Sequence, residues 1–307
     1  MRVLVAGATG AIGRPLIPEL VAAGHQVIAT TRSPAKLAGL RDAGAEPVVL
    51  DGLDALAVGE AVAKAEPEVI IHEMTAIPAS ISMRRFDDSF APTNALRTRG
   101  TDYLLAAAAA AGVRRFIAQS YAGYYARAGG PVKSEEDALD PEPPAGQRET
   151  VAAGQYVERA VLGAPLEGIV LRYGSLYGPG ASEGIVALIR KRQFPVVGAG
   201  TGIWSFLHVA DAATATAAAV SRAAPGIYNV ADDDPAAVAE WLPEVAAILG
   251  APAPRRLPAW LGRLFAGETG VSAMTRQRGA SNAKARRELD WQPAWASWRD
   301  GFARGLS

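Results

Sequence analysis

Short apolar runs alternate along the chain with longer stretches of helical periodicity. Runs of four to six residues at 2–6, 26–30, 46–50, 69–72, 115–119 and 168–172 predict strands. Segments 13–23, 33–43, 55–65, 94–111 and 150–162 space their apolar positions three and four apart, which predicts helices. Strands each followed by a helix imply right-handed βαβ units and a parallel sheet. The strands are apolar nearly throughout, as expected when helices cover both faces of the sheet. The predicted class is α/β, a doubly wound parallel sheet.

The pattern changes after Tyr173. Gly and Pro become frequent, strand-like runs follow at 204–209 and 226–230, and the last 75 or so residues read as helical. This divides the chain into 1–172 with 203–232, carrying the sheet, and 173–202 with 233–307, forming a smaller C-terminal substrate lobe. Breakers and acids between 129 and 146 predict a surface loop. Trp241, Trp260, Trp291, Trp295 and Trp298 are expected as core anchors. Asp211 is expected to cap a helix at 212–220, and Ser281 or Asn282 one at 283–289.

Charge narrows the partners. Lys plus Arg and Asp plus Glu number 31 each, so no excess charge favours nucleic acid or an anionic membrane. The run 106–111 is too short to span a bilayer, and no signal-peptide pattern precedes the first strand, so the expectation is a cytoplasmic protein. The chain has no cysteine, which excludes disulfides, thiol nucleophiles and thiolate metal sites; His25, His72 and His208 are far apart and predict no metal site.

The first candidate chemistry lies between the first strand and the first helix. Gly7-Ala8-Thr9-Gly10-Ala11-Ile12-Gly13 has the spacing and context of a dinucleotide cradle. Gly7 permits the tight turn, Gly10 a close approach to pyrophosphate, and Gly13 close packing of helix on strand. This is the start of a Rossmann domain, with the helix N-terminus turned toward phosphate. The second strand runs into Thr31-Arg32-Ser33, with no acid for a ribose 2′-hydroxyl. A guanidinium flanked by two hydroxyls suits a 2′-phosphate, so NADP(H) is expected ahead of NAD(H). Arg14 is a further candidate for that phosphate. Asp51, with Gly52 beside it, ends the third strand and suits an adenine amino group, or else caps a turn. Met74 and Thr75, after the fourth strand, are expected to border the nicotinamide ribose.

With these residues in hand, the chain resembles an extended or atypical short-chain dehydrogenase/reductase of the NAD-dependent epimerase/dehydratase type. The marks run through nearly the whole length: Gly7 to Gly13, Asp51 to Asp54, Ile70-Ile71-His72, Gly100-Thr101, Arg115-Phe116-Ile117, Leu171-Arg172-Tyr173, Tyr177-Gly178-Pro179-Gly180, Phe206 to Asp211, Tyr228-Asn229-Val230, Ser281 to Lys284 and Leu289 to Pro293. The resemblance implies hydride transfer to or from a small-molecule alcohol or carbonyl, such as a sugar nucleotide. It implies a catalytic Ser or Thr, a Tyr-x-x-x-Lys pair and often an Asn. It also implies a homodimer packed through two helices, which 94–111 and 150–162 would supply. Basic residues for a diphosphate would be Arg190, Lys191, Arg192, Arg255 and Arg256, unless these simply face water.

The expected catalytic set is absent. No Tyr is followed by Lys four residues later; the aligned positions hold Thr150 and Gly154. The Ser position holds Tyr121, with Ser120 beside it, and the Asn position holds Arg97, with Asn94 one turn earlier. Either the acid has moved or the redox step has been lost. In the first case Tyr121 is the leading candidate, because it ends a central strand, and Lys133 would lower its pKa. Tyr124, Tyr125 and Tyr156 are alternatives, with packing roles as the competing explanation. Glu73 is a candidate proton carrier, or an acid paired with Arg84, Arg85 or Arg97, and His72 is expected to be structural. In the second case the chain is an NADP(H)-binding sensor, a scaffold or a non-redox isomerase.

Overall fold

The computed structural model describes residues 1–78 and 80–306. Seven parallel strands form the central sheet: β1 (Arg2–Ala6), β2 (Gln26–Thr31), β3 (Glu46–Val49), β4 (Val69–His72), β5 (Arg115–Tyr121), β6 (Glu167–Tyr173) and β7 (Gly226–Val230). Their spatial order is β7-β6-β5-β4-β1-β2-β3, and every neighbouring pair is parallel. The chain reverses its direction of travel across the sheet between β1 and β4, which opens a crevice at their carboxyl ends. This is the expected Rossmann architecture.

Helices α1 (Gly13–Ala22), α2 (Leu37–Asp42), α3 (Ala55–Ala65), α4 (Phe86–Ala95), α5 (Thr101–Ala110) and α6 (Arg148–Gly163) alternate with the strands. One apolar cluster joins α1 and α8 (Val209–Arg222) to one sheet face through Leu16, Ile17, Leu20, Ala215 and Ala219. The other face packs Val58, Val62, Leu104, Val157 and Val161 from α3, α5 and α6. The remaining helices are α7 (Glu183–Arg190), α9 (Val238–Ile248), α10 (Ala259–Thr275), α11 (Ala283–Glu288) and α12 (Trp298–Arg304). A third cluster, around Trp241, Trp298, Phe206 and Tyr177, lies among α7, α9, α10 and α12. No helix among the described residues is long and apolar enough to cross a membrane.

The helix predicted at 94–111 begins earlier, at Phe86, and carries a π-helical turn at Leu96–Gly100 between α4 and α5. Such turns insert one residue into the helical ladder and often occur at functional sites. Segment 129–146 is not a free loop. Val132–Lys133 pairs with Gly279–Ala280, and Tyr125 bridges Leu139, so the segment is docked onto the chain that follows the sheet. Of the five tryptophans expected as core anchors, Trp241, Trp291 and Trp298 are core residues, but Trp260 is 64% exposed beside exposed Leu264 and Phe265 on α10. Asp211 is not the cap of α8. That role falls to His208, whose Nδ1 accepts from the Ala210 N–H, while Asp211 accepts from the Ala294 and Trp295 N–H groups and ties down the C-terminal segment. At α11 it is Ser281 that accepts from the Ala283 N–H; Asn282 donates to the Ala231 and Asp232 carbonyls.

Candidate active site

The glycine cradle is fixed by close backbone approach. Gly7 has φ +98°, and a β-carbon there would lie 2.6 Å from the Glu73 carbonyl, where β1 and β4 separate. A β-carbon on Gly13 would lie 2.5 Å from the Gly7 carbonyl oxygen, and one on Gly10 3.3 Å from it. Ile12 precedes α1 without a side-chain cap; the Arg14 N–H is spent on the Gly10 carbonyl and Pro15 has none, so the N–H groups of Ala11, Ile12 and Gly13 are the ones left to an anion. Thr9 Oγ1 and Thr31 Oγ1 are 3.2 Å apart, and Thr31 Oγ1 accepts from the Ser33 N–H, which binds the cradle to the end of β2. Ala11 is half-buried beside them. Arg32 is exposed and forms no ion pair among the described residues. Arg14 reaches the other wall of the crevice, where its guanidinium fills the space over Gly180. Asp51 Oδ1 accepts from the Leu53 N–H and caps the turn, and its carboxylate remains exposed. Met74 packs directly on Gly52, where any β-carbon would strike its sulfur. Thr75 follows, half-buried. These residues fit a nicotinamide dinucleotide: a cradle that side chains would fill, an uncapped helix end, and two guanidiniums along its length with no ion pair among the described residues.

At the β5 edge, Tyr121 and Ser120 point opposite ways. Ser120 Oγ donates to Glu158 Oε1 at 2.7 Å, inside a buried network. Arg172 forks onto the same carboxylate at 2.8 and 2.6 Å and donates to the Tyr125 hydroxyl at 2.8 Å; Tyr125 in turn donates to Asn229. Ser120 and Tyr125 therefore support the scaffold. Tyr121 is half-buried, with its hydroxyl 3.1 Å from Ser175 Oγ, in a small pocket also lined by Gly123, Ser205, Gln277 and Arg278. Burial pushes its phenol above the ordinary value, so it keeps its proton at neutral pH. Lys133 does not reach this phenol; its ammonium pairs with Asp137 at 2.9 Å, one helical turn on in sequence. Tyr156 lies at the surface of α6 and donates to Asp102 on α5 at 2.6 Å.

Where the resemblance places Tyr and Lys, α6 has Thr150 and Gly154, both buried. Thr150 Oγ1 donates to Asp87 at 2.7 Å and accepts from Asn94 Nδ2 at 3.2 Å, so its hydroxyl is fully engaged. The ring of Tyr124 lies over Gly154, and Arg97 Nη1 donates to the Tyr124 hydroxyl at 2.8 Å. Arg97 is 6% exposed, forms no ion pair among the described residues, and its Nε has no hydrogen-bond partner. Sequence reasoning did not bring Arg97 and Tyr124 together. The available signal was Arg97 at the position that the resemblance gives to Asn.

Glu73 is buried at the end of β4, and its partner is Tyr173, 2.8 Å away, not an arginine. The Tyr173 hydroxyl donates to Glu73 Oε1 and lies 2.6 Å from Thr216 Oγ1, a contact in which either oxygen can donate; Thr216 Oγ1 also reaches the Ala212 carbonyl. Burial pushes the Glu73 carboxyl up to about 8, in agreement with a neutral acid. His72 is also neutral. Its Nδ1 accepts from the Met74 N–H, which leaves Nε2–H for the Leu96 carbonyl, and burial holds its pKa down at about 4.

The architecture recurs in known proteins. The profile of the NAD dependent epimerase/dehydratase family matches residues 3–231. A 3-diazoavenalumate denitrifying reductase from a Streptomyces species is 46% identical over 99% of this chain and 100% of its own. UDP-glucose 4-epimerase of Mycolicibacterium smegmatis is 29% identical over 95% of this chain and 94% of its own. The solved structure of MoeE5 in complex with UDP-glucuronic acid and NAD, 26% identical, superposes with a TM-score of 0.77 over 100% of this chain and 97% of that one. With the glycine cradle, the sheet order and a full-length reductase relative in agreement, this chain is an enzyme that belongs to the NAD-dependent epimerase/dehydratase family.

Proposed function

We propose that this enzyme is an NADPH-dependent reductase that replaces the diazo group of a small aromatic carboxylate with hydrogen. The observation that carries the proposal is the substitution of Thr150 and Gly154 for the phenol and ammonium of α6, in a chain 46% identical to a diazo-substrate reductase. Reduction of a carbonyl builds negative charge on oxygen and requires a positioned acid. An aryl diazonium is already cationic, and its positive charge disappears as hydride arrives. A bound NADPH would supply that hydride: aryl–N2⁺ and NADPH give aryl–H, N2 and NADP⁺, with charge balanced and no proton added. The protein's share is then to bind, orient and exclude water. Tyr121, half-buried at the small pocket, stands edge to face with buried Tyr124, 5.1 Å between centroids, and its ring would meet an aromatic substrate.

NADP(H) is favoured over NAD(H) by Arg32, exposed and unpaired at the end of β2 with no acid beside it. A second reading, reduction of a carbonyl with Tyr121 as acid, is favoured by the Tyr121–Ser175 hydroxyl pair at the strand edge.

Stereospecifically deuterated NADPH and 4-carboxybenzenediazonium test the first reading. One NADPH consumed per N2, with deuterium on the carbon that bore nitrogen, is the expected result. Tyr121→Phe should leave that rate within about threefold, whereas loss of an acid costs roughly 10²–10⁴-fold. Consumption no faster than the enzyme-free background would sink the proposal.

A further inference from the structure

Arg97 presents an unusual balance of charge. Buried arginines are nearly always paired, because removing a guanidinium from water costs several kcal/mol unless an anion compensates. Arg97 is more than nine-tenths buried, yet it forms no ion pair among the described residues. Among the described residues its one side-chain hydrogen bond is to the Tyr124 hydroxyl, and its Nε has no partner. The position is built rather than incidental. The π-turn Leu96–Gly100 carries Arg97, and Gly154 leaves room for the Tyr124 ring that meets it. Because Arg97 donates to the Tyr124 oxygen, the Tyr124 proton is free to be donated elsewhere. Two donors thus sit side by side with no acceptor. From this end the rings of Tyr124 and then Tyr121 lead to Ser175.

We propose that Arg97 and Tyr124 form a carboxylate-binding fork that holds the acid group of the substrate while its aromatic body lies along Tyr124 and Tyr121. This rests on the reading of the substrate as an aromatic acid. Arg278, in the small pocket that Tyr121 and Ser175 line, also has a partnerless Nε among the described residues, but it is half-buried and can be solvated, so its need for an anion is smaller.

Cinnamate and cinnamamide are suitable probes, measured by calorimetry on the protein alone and on the protein saturated with NADP⁺. The acid should bind wild type more tightly than the amide by roughly 10- to 100-fold, the range of a charge-assisted hydrogen bond in a desolvated site. Arg97→Gln should remove that preference, leave the amide within about threefold, and leave NADP⁺ affinity unchanged; Arg278→Gln should keep it. Arg97→Lys, which keeps the charge but loses the planar fork, should retain part of the preference and guards against a folding defect in the glutamine variant. Equal binding of acid and amide, or no binding of the acid, overturns the proposal. So does a fall in NADP⁺ affinity in Arg97→Gln, which would make a cofactor phosphate the anion, or loss of preference in Arg278→Gln alone. The diazo reading fails separately: if 4-carboxybenzenediazonium is not reduced, yet the acid preference and its dependence on Arg97 are observed, the fork stands and the chemistry does not.

Discussion

The ring of Tyr124 lies so close over Gly154 that a β-carbon at 154 would be 2.7 Å from its edge. A lysine introduced at 154 must therefore displace a buried ring held by Arg97. Gly154→Lys should destabilise the chain by about 1–3 kcal/mol through overpacking, partly offset by the better helix propensity of lysine. Chemical denaturation measures this, and Tyr124→Ala in the same chain should recover much of the loss. If Gly154→Lys unfolds at the wild-type denaturant concentration, the ring is not a steric block.

Arg32 follows β2 with its guanidinium in solvent and no carboxylate partner among the described residues. Arg32→Asp places a ribose-hydroxyl acceptor where a phosphate would otherwise be met. NADPH affinity should fall about 10- to 100-fold, while NADH affinity holds or improves. Fluorescence titration of both nucleotides separates the two effects. A parallel fall in both would mean that the side chain supports the fold and does not discriminate the phosphate.

Glu158 and Arg172 meet through two hydrogen bonds in the interior, with Ser120 and Tyr125 completing the network. Removing one member leaves the other charge buried and unpaired. Arg172→Met should cost about 3–5 kcal/mol, whereas Arg172→Met with Glu158→Met should cost much less or nothing. A double variant no better than the single one would show that packing, not charge, holds this region.

The sheet and the cradle were legible in the sequence because their signals are local. Gly7, Gly10 and Gly13 act within one turn, and continuous apolar runs identify strands covered on both faces. The candidate site was legible only as a set of departures from the pattern that the resemblance implies. Its place in the loop after β5 points Lys133 to a phenol, yet in the fold it pairs with Asp137, four residues on. The contacts that define the site span the chain. Arg97 and Tyr124 are 27 residues apart, and Glu73 and Tyr173 are 100 apart. Neither pair has a periodicity, and the π-turn that sets Arg97 has no signature in residue type.

Two buried carboxyls reverse the usual effect of pH. Burial raises Glu73 from 4.5 to about 8, and burial likewise raises Asp232, whose Oδ2 has no partner, from 3.8 to about 8. Between those limits the folded chain keeps protons that the unfolded chain has already released. Folding is then favoured by protons, so stability from these groups is fully present below pH 4 and falls as pH rises toward 8. Each group should withdraw on the order of a few kcal/mol across that window, at about 1.4 kcal/mol per pH unit. Glu73→Gln with Asp232→Asn removes both titrations, so the double variant should gain on wild type steadily from pH 5 to pH 8 and by a constant amount above. Denaturation curves at pH 5, 7 and 9 decide it: a difference between the two proteins that does not change with pH would mean that both carboxyls are already ionised in the folded state.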